Sequence, residues 1–194
     1  KKGEGVNWVA TAFWCVGMPL LAAALVLGVQ PGSLWLQALT TLVLIAPLGP
    51  LLYRLVFRPL ADASVLILLI VAVALHGVLV GAGLLFFGAE GSRTTPFSEA
   101  RFELGSMMIS GQSLVVLGVT LVLVPLLFVF FERSMVGKAL RATAINRVGA
   151  RLMGIPTDLS GDVSFALAAL IGAVSGLLIA PLTTVYYDTG FLIG

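Results

Sequence analysis

Residues 65–87 run from Val through His76 to Phe-Phe without one charged side chain. A hydrocarbon core of about 30 Å is crossed by roughly twenty apolar residues in a helix, because a helix pairs its own backbone groups where no water is available. Four further stretches meet or nearly meet that requirement: residues 8–27, 34–56, 114–131 and 163–185. The fold class implied is all-α, a polytopic transmembrane bundle of about five spans forming a single membrane domain over residues 1–194. Composition agrees with it. Hydrophobic residues make up 59% and charged residues 10%, with mean hydropathy +1.11, where a soluble domain carries about a quarter charged residues. Gly28 to Gly32 forms a turn, and Ala46-Pro47-Leu-Gly49-Pro50 is expected to bend or break the second span, since proline lacks the N–H that a helix interior needs.

The basic residues orient the bundle. With the N-terminus inside, Lys1, Lys2, Arg54, Arg58, Arg133, Lys138, Arg141, Arg147 and Arg151 all lie on one side, leaving Arg93 and Arg101 on the other. The positive-inside rule therefore puts residues 132–162 in the cytoplasm and the loop at 88–113 outside. In that outer loop Glu90, Glu99 and Glu103 nearly balance the arginines, and order is expected only in part. The net charge of +2 is small and gathers at segment ends, so no nucleic-acid-binding face is implied.

Residues 132–162 carry five of the 11 basic residues, yet they are patterned as a folded element. Leu140, Ala144, Val148 and Leu152 recur every four residues, which predicts one apolar ridge along a helix. Gly154 suits the left-handed end of a helix and Pro156 prevents its resumption. Three uses fit this pattern: a basic connector against anionic lipid headgroups, an amphipathic helix on the bilayer surface, or a helix docked into a cytoplasmic subunit by its ridge with Arg and Lys at the rim.

Ala168, Gly172, Gly176 and Ala180 lie four residues apart in the fifth span, and Gly77 and Gly81 repeat the device in the third. Small-residue faces let membrane helices approach closely, so helix packing is the plain reading and a substrate path along them the other. His76, central in the third span, is either a neutral imidazole bonded to a neighbouring helix or a group in the pathway. The spans contain no mid-span Asp or Glu, no histidine cluster and one cysteine, Cys15, so metal ligation, a disulfide framework and carboxylate-pair catalysis find no residues here. No glycine-rich loop ends in Lys-Ser or Lys-Thr, so any ATP would be used by a partner and no cofactor is bound by this chain. Lys1-Lys2 and the alanines at 22–24 also fit a secretory signal, although the apolar run continues past them. Starting without methionine and ending on an apolar stretch, the chain is expected to be a piece of a longer one.

Arg141-Ala-Thr-Ala-Ile-Asn146-Arg-Val-Gly-Ala150-Arg-Leu-Met-Gly154-Ile155, then Asp158 and Ser164-Phe-Ala-Leu-Ala through Gly176 to Gly190-Phe-Leu-Ile-Gly194, resembles the permease subunit of branched-chain amino acid ABC importers. Phe57-Arg58-Pro59-Leu60 is similar to the family's Tyr-Arg-Pro-Leu turn, and Glu90-Gly-Ser-Arg93 to its external loop. The resemblance implies a multi-pass protein of the bacterial inner membrane, working with cytoplasmic ABC ATPase subunits, a second permease subunit in a heterodimer, and an external solute-binding protein. It makes residues 132–162 the coupling loop, with Leu140, Arg141, Ala144, Asn146, Val148, Ala150, Leu152 and Gly154 contacting the ATPase. Val148 and Gly149 depart from the Glu-Ala-Ala-x-x-x-Gly signature of importer permeases, while Ala150 and Gly154 keep its small residues. The family's Asn-Phe-Ala-His-Gly helix and its later helices have no counterpart here. A permease for urea or a short amide, a membrane-embedded enzyme and an interaction scaffold are the other readings.

Overall fold

The computed structural model of the chain describes residues 33–61, 63–104 and 107–190. The expected first span at 8–27, with Cys15, and the end at 191–194 lie outside these residues. Helix α1 (Leu34–Ile45) opens at Ser33, whose hydroxyl accepts the Leu36 N–H at 3.3 Å. The Ala46-Pro47 step interrupts it, and α2 (Leu48–Leu52) resumes before a π-helical turn over Tyr53–Phe57, closed by the Arg58 N–H on the Tyr53 carbonyl at 2.8 Å. A turn of this kind changes the angular phase of the helix, so side chains on its two sides face different directions. The break falls where the proline pattern placed it, and the kinked whole, Leu34–Phe57, remains long and apolar enough to cross a membrane. Thr40 and Thr41 turn their hydroxyls back onto the Leu36 and Gln37 carbonyls, so their polar groups are paired within the span.

Helix α3 (Val65–Phe87) starts at Ser64 and stops at Gly88, which takes φ 76. Two short strands, β1 (Arg101–Leu104) and β2 (Met107–Ser110), pair antiparallel in the loop beyond it. The bundle is helical as expected, and residues 88–110 add a small hairpin in the loop. Helix α4 (Gly111–Arg133) is capped by Ser110 and carries Pro125 inside it. Ser134 ends α4 and caps α5 (Met135–Ile145), its hydroxyl accepting the Gly137 N–H at 2.8 Å. That joint has no linker, and Gly137 is needed there because a Cβ would run into the Phe130 carbonyl. Then come α6 (Arg147–Leu152) and α7 (Thr157–Ile179). Four spans are therefore described: the kinked α1–α2 unit, α3, α4 and α7.

These spans run alternately up and down, and their loops collect at two ends. At one, Trp35 stacks near Phe97 at 5.3 Å, Ser92 bridges Val185, and Gln112 reaches Leu178. At the other, Arg54 meets Asp162, Arg58 meets Asp158, α5 packs on α4 and α7, and α6 packs on α5 and α7. We call these the loop end and the arginine end. Among the described residues the buried side chains are few, and Tyr53, Leu140, Ala150, Thr157 and Ser160 all belong to the arginine end. Apolar side chains along the spans stay open, Val65 and Leu85 being more than four-fifths exposed.

Packing between the second and fifth spans uses a different stripe from the expected one. Gly161, Phe165, Ala169 and Ala173 form the contact: a Cβ on Gly161 would enter the Tyr53 ring, a Cβ on Gly49 would strike the Phe165 carbonyl and Ala169, and Ala173 is buried. Tyr53 and Phe57 hold the Phe165 ring between them at centroid distances of 5.3 and 5.0 Å. Ala168, Gly172 and Gly176 lie on the neighbouring face and are not buried, nor is Ala180; a Cβ at either glycine would meet nothing within 4 Å. Gly77 and Gly81 likewise face open space, on a span that packs along no other described helix. The reason is tertiary. The stripe in use is the one that answers Gly49 and Tyr53, whose rings and glycines the four-residue spacing alone does not reveal.

Candidate functional site

The arginine end is built by local signals. Asn146 leaves the helical region at φ −149, ψ 99, and its side-chain oxygen accepts the Gly149 N–H at 2.8 Å, so it ends α5 and caps α6. At the other end of α6 the Gly154 N–H bonds the Arg151 carbonyl and the Ile155 N–H bonds the Ala150 carbonyl, each at 3.0 Å. These two bonds with Gly154 at φ 80 are a Schellman ending. Pro156 then sets the start of α7. A six-residue helix closed at both ends is held in place by its caps more than by its own length.

The cap at Asn146 divides the ridge expected over Leu140, Ala144, Val148 and Leu152. Leu140 is buried against the bundle, whereas Ala144, Val148 and Leu152 are exposed. Ala150 is also buried, so its small size serves packing within the chain. The residues turned outward are Ile145, Val148, Leu152 and Met153, at 87%, 68%, 83% and 82% exposure. Ile145 ends α5, Val148 and Leu152 lie on α6 and Met153 follows it, so exposed apolar residues flank the Asn146 turn along the chain.

The arginines of the expected basic rim are engaged as well. Arg141 pairs with Glu132 at 2.9 Å, Arg147 donates to the Ala61 carbonyl at 2.9 Å, and the Arg151 Nε donates to the Thr157 hydroxyl at 2.9 Å. Each of these guanidiniums braces the chain internally, because a flat fork with five donors reaches backbone and side-chain acceptors at element ends. Thr143 adds a hydroxyl contact to Ser160 at 3.1 Å, joining α5 to α7. Between α6 and the first turn of α7 lies an open cleft of about 400 Å³, lined by Arg151, Gly154, Ile155, Pro156, Thr157 and Asp158.

Two features escape a motif-by-motif reading. Arg54 donates from Nε and Nη2 to the two carboxylate oxygens of Asp162, the shortest contact 2.8 Å, and Arg58 meets Asp158 at 3.2 Å. Their signal was present as matched spacing, two arginines four apart and two aspartates four apart at the ends of separate spans. Gln112, with 2% exposure, accepts the Phe97 N–H and donates to the Leu178 carbonyl, both at 3.0 Å. No sequence pattern distinguished it. His76 is half-buried in the middle of α3. Among the described residues no three His, Cys, Asp or Glu side chains group as metal ligands.

Residues 5–194 match the family described as the branched-chain amino acid transport system permease component. The chain belongs to this family. Among curated proteins it is similar to the high-affinity branched-chain amino acid transport system permease protein LivH of Escherichia coli strain K12, 27% identical over 171 residues. That alignment covers 84% of the chain and 56% of LivH. LivH of Escherichia coli O157:H7 gives the same figures. The chain thus spans a little over half the length of the curated relatives it matches. No solved structure matches it. Membership in a permease family accords with the four membrane-length helices among the described residues.

Proposed function

We propose that the chain is part of the membrane-spanning subunit of a binding-protein-dependent ABC importer for branched-chain amino acids in a bacterial inner membrane. The observation that carries this reading is the family match across residues 5–194. The similarity to LivH supports the substrate class. In this reading the arginine end is cytoplasmic, in keeping with the charge bias, and the loop end receives a loaded solute-binding protein. ATP is bound and hydrolysed by separate cytoplasmic subunits, and a second permease subunit, a different chain, completes the pathway.

The exposed apolar side chains of Ile145, Val148, Leu152 and Met153 are the docking surface for the ATPase. Apolar side chains rimmed by engaged arginines favour a hydrophobic groove on the partner, and Val148 in place of the usual acid removes a charge that such a groove would have to desolvate. Closure of the ATPase pair displaces α6, and the spans joined to it rock between outward-facing and inward-facing arrangements. The test is reconstitution of the full-length protein with its ATPase and permease partners, with ATP hydrolysis and uptake measured as loaded binding protein is added. Stimulation by leucine, isoleucine or valine is expected. Stimulation by urea or a short amide alone would reassign the substrate, and absence of any bound ATPase would end the importer reading.

A further inference from the structure

Sequence order joins α6 to α5 through Asn146 and to α7 through residues 153–156, but Arg147 reaches elsewhere. Its Nη1 donates to the Ala61 carbonyl, 86 residues earlier, in the turn that ends the second span. That turn is itself ordered, with the Leu60 N–H on the Phe57 carbonyl and the Ala61 N–H on the Arg58 carbonyl. Immediately before it, Arg54 and Arg58 hold Asp162 and Asp158 of α7, and Tyr53 sits over Gly161. Arg151 closes the third side by holding Thr157 at the start of α7. Three bodies, α6, the foot of the second span and the first turns of α7, are thus joined in pairs. A triangle of contacts resists shear, because no side can slide without breaking another. Helix α3 leaves this foot a few residues later and packs along no other described helix.

We propose that Arg147 is a positioning residue for transport: it fixes α6 to the foot of the second span, so that displacement of α6 carries the second and fifth spans together. The inference rests on the reading of α6 as the ATPase-docking helix. It names a route that chain connectivity does not supply, since α6 and the second span are far apart in sequence. Arg54 and Asp162 complete the route by binding that span to α7.

The experiment uses the full-length protein with its ATPase subunits, permease partner and binding protein in proteoliposomes. Leucine uptake and ATP hydrolysis are measured per assembled complex, and amide exchange at residues 58–61 is followed with and without ATP. In Arg147→Ala, uptake per ATP is expected to fall about tenfold, within the usual range of coupling between sites, and in Arg147→Lys, which keeps a donor, by less than about threefold, below that range. ATP should change exchange at residues 58–61 in the unsubstituted protein and no longer do so in Arg147→Ala. Unaltered uptake per ATP and an unaltered exchange response in Arg147→Ala would overturn the proposal, as would equal damage by Lys and Ala. Should Arg147→Ala fail to assemble, the exchanged pair Arg54→Asp with Asp162→Arg decides: each single change lowers uptake per ATP and the double restores it, or the triangle is not the route. Exchange separates this proposal from the substrate reading. An ATP response lost in Arg147→Ala supports the strut even where no branched-chain amino acid is taken up.

Discussion

Gly161→Ala is the sharpest probe of how the second and fifth spans are joined. The added methyl would occupy the space of the Tyr53 ring, with Cζ, Oη and Cε1 the nearest atoms. Tyr53 has nowhere to swing, being only 7% exposed and stacked beside Phe165 at 5.3 Å. Relief must come from moving one span off the other. Overpacking of this kind costs about 1–3 kcal/mol, and loosening the Tyr53–Phe165 contact forfeits about 0.5–1.5 kcal/mol more. Asp162 is the next residue, so the same movement stretches its 2.8 Å bond to Arg54. A loss of roughly 2–4 kcal/mol is expected, measured by reversible unfolding of the full-length protein in mixed micelles of mild detergent and dodecyl sulfate. The same substitution is then made in a Tyr53→Ala background. There the space is open, and the cost should drop below about 1 kcal/mol, because the helix gains alanine in place of glycine. Equal costs in the two backgrounds would show that the ring does not fill the space over Gly161, and the account of this joint would fail.

At Gly154 the limit is conformational and not spatial: φ is 80 while a Cβ meets nothing within 4 Å, so Gly154→Ala should cost about 1–2 kcal/mol and raise amide exchange over residues 150–155. Unchanged exchange there would contradict the Schellman ending. Replacing Gln112 with Leu removes the partner of the Phe97 N–H and the Leu178 carbonyl, for an expected loss of about 1–3 kcal/mol. Proteolysis of the loop at residues 88–110 should quicken in step, and an unaltered cleavage rate would sink the assignment of Gln112 as its clasp. Leu152→Asp places a charge in the proposed docking surface without touching the packing of α6, so the protein should insert normally while recovery of ATPase subunits with it drops at least tenfold, equal to about 1.4 kcal/mol. Ala150→Leu is expected to act differently, lowering the protein's own stability by about 1–3 kcal/mol, because Ala150 is buried within the chain.

What the sequence by itself determined is the part governed by local rules and by the bilayer. Uncharged runs of membrane length specify spans, the Pro47 step breaks the second one, and Gly154 with Pro156 ends α6, since each effect acts over a few residues. Family membership also belongs here, because the match covers nearly the whole chain. The tertiary structure decided which faces meet. A four-residue repeat is compatible with several faces of a helix, and α7 uses Gly161, Phe165, Ala169 and Ala173 because Gly49 and Tyr53 fit them, leaving Gly172 and Gly176 outside. The ridge through Leu140 and Val148 divided for a related reason: the Asn146 side chain captures the Gly149 N–H, and one residue out of helical geometry turns the rest of the segment. The arginines changed meaning most. Counted along the chain they are an excess of positive charge on one side, which sets orientation by its total. In three dimensions Arg54, Arg58, Arg141, Arg147 and Arg151 each find an acceptor on another element, and only the fold brings those acceptors within reach.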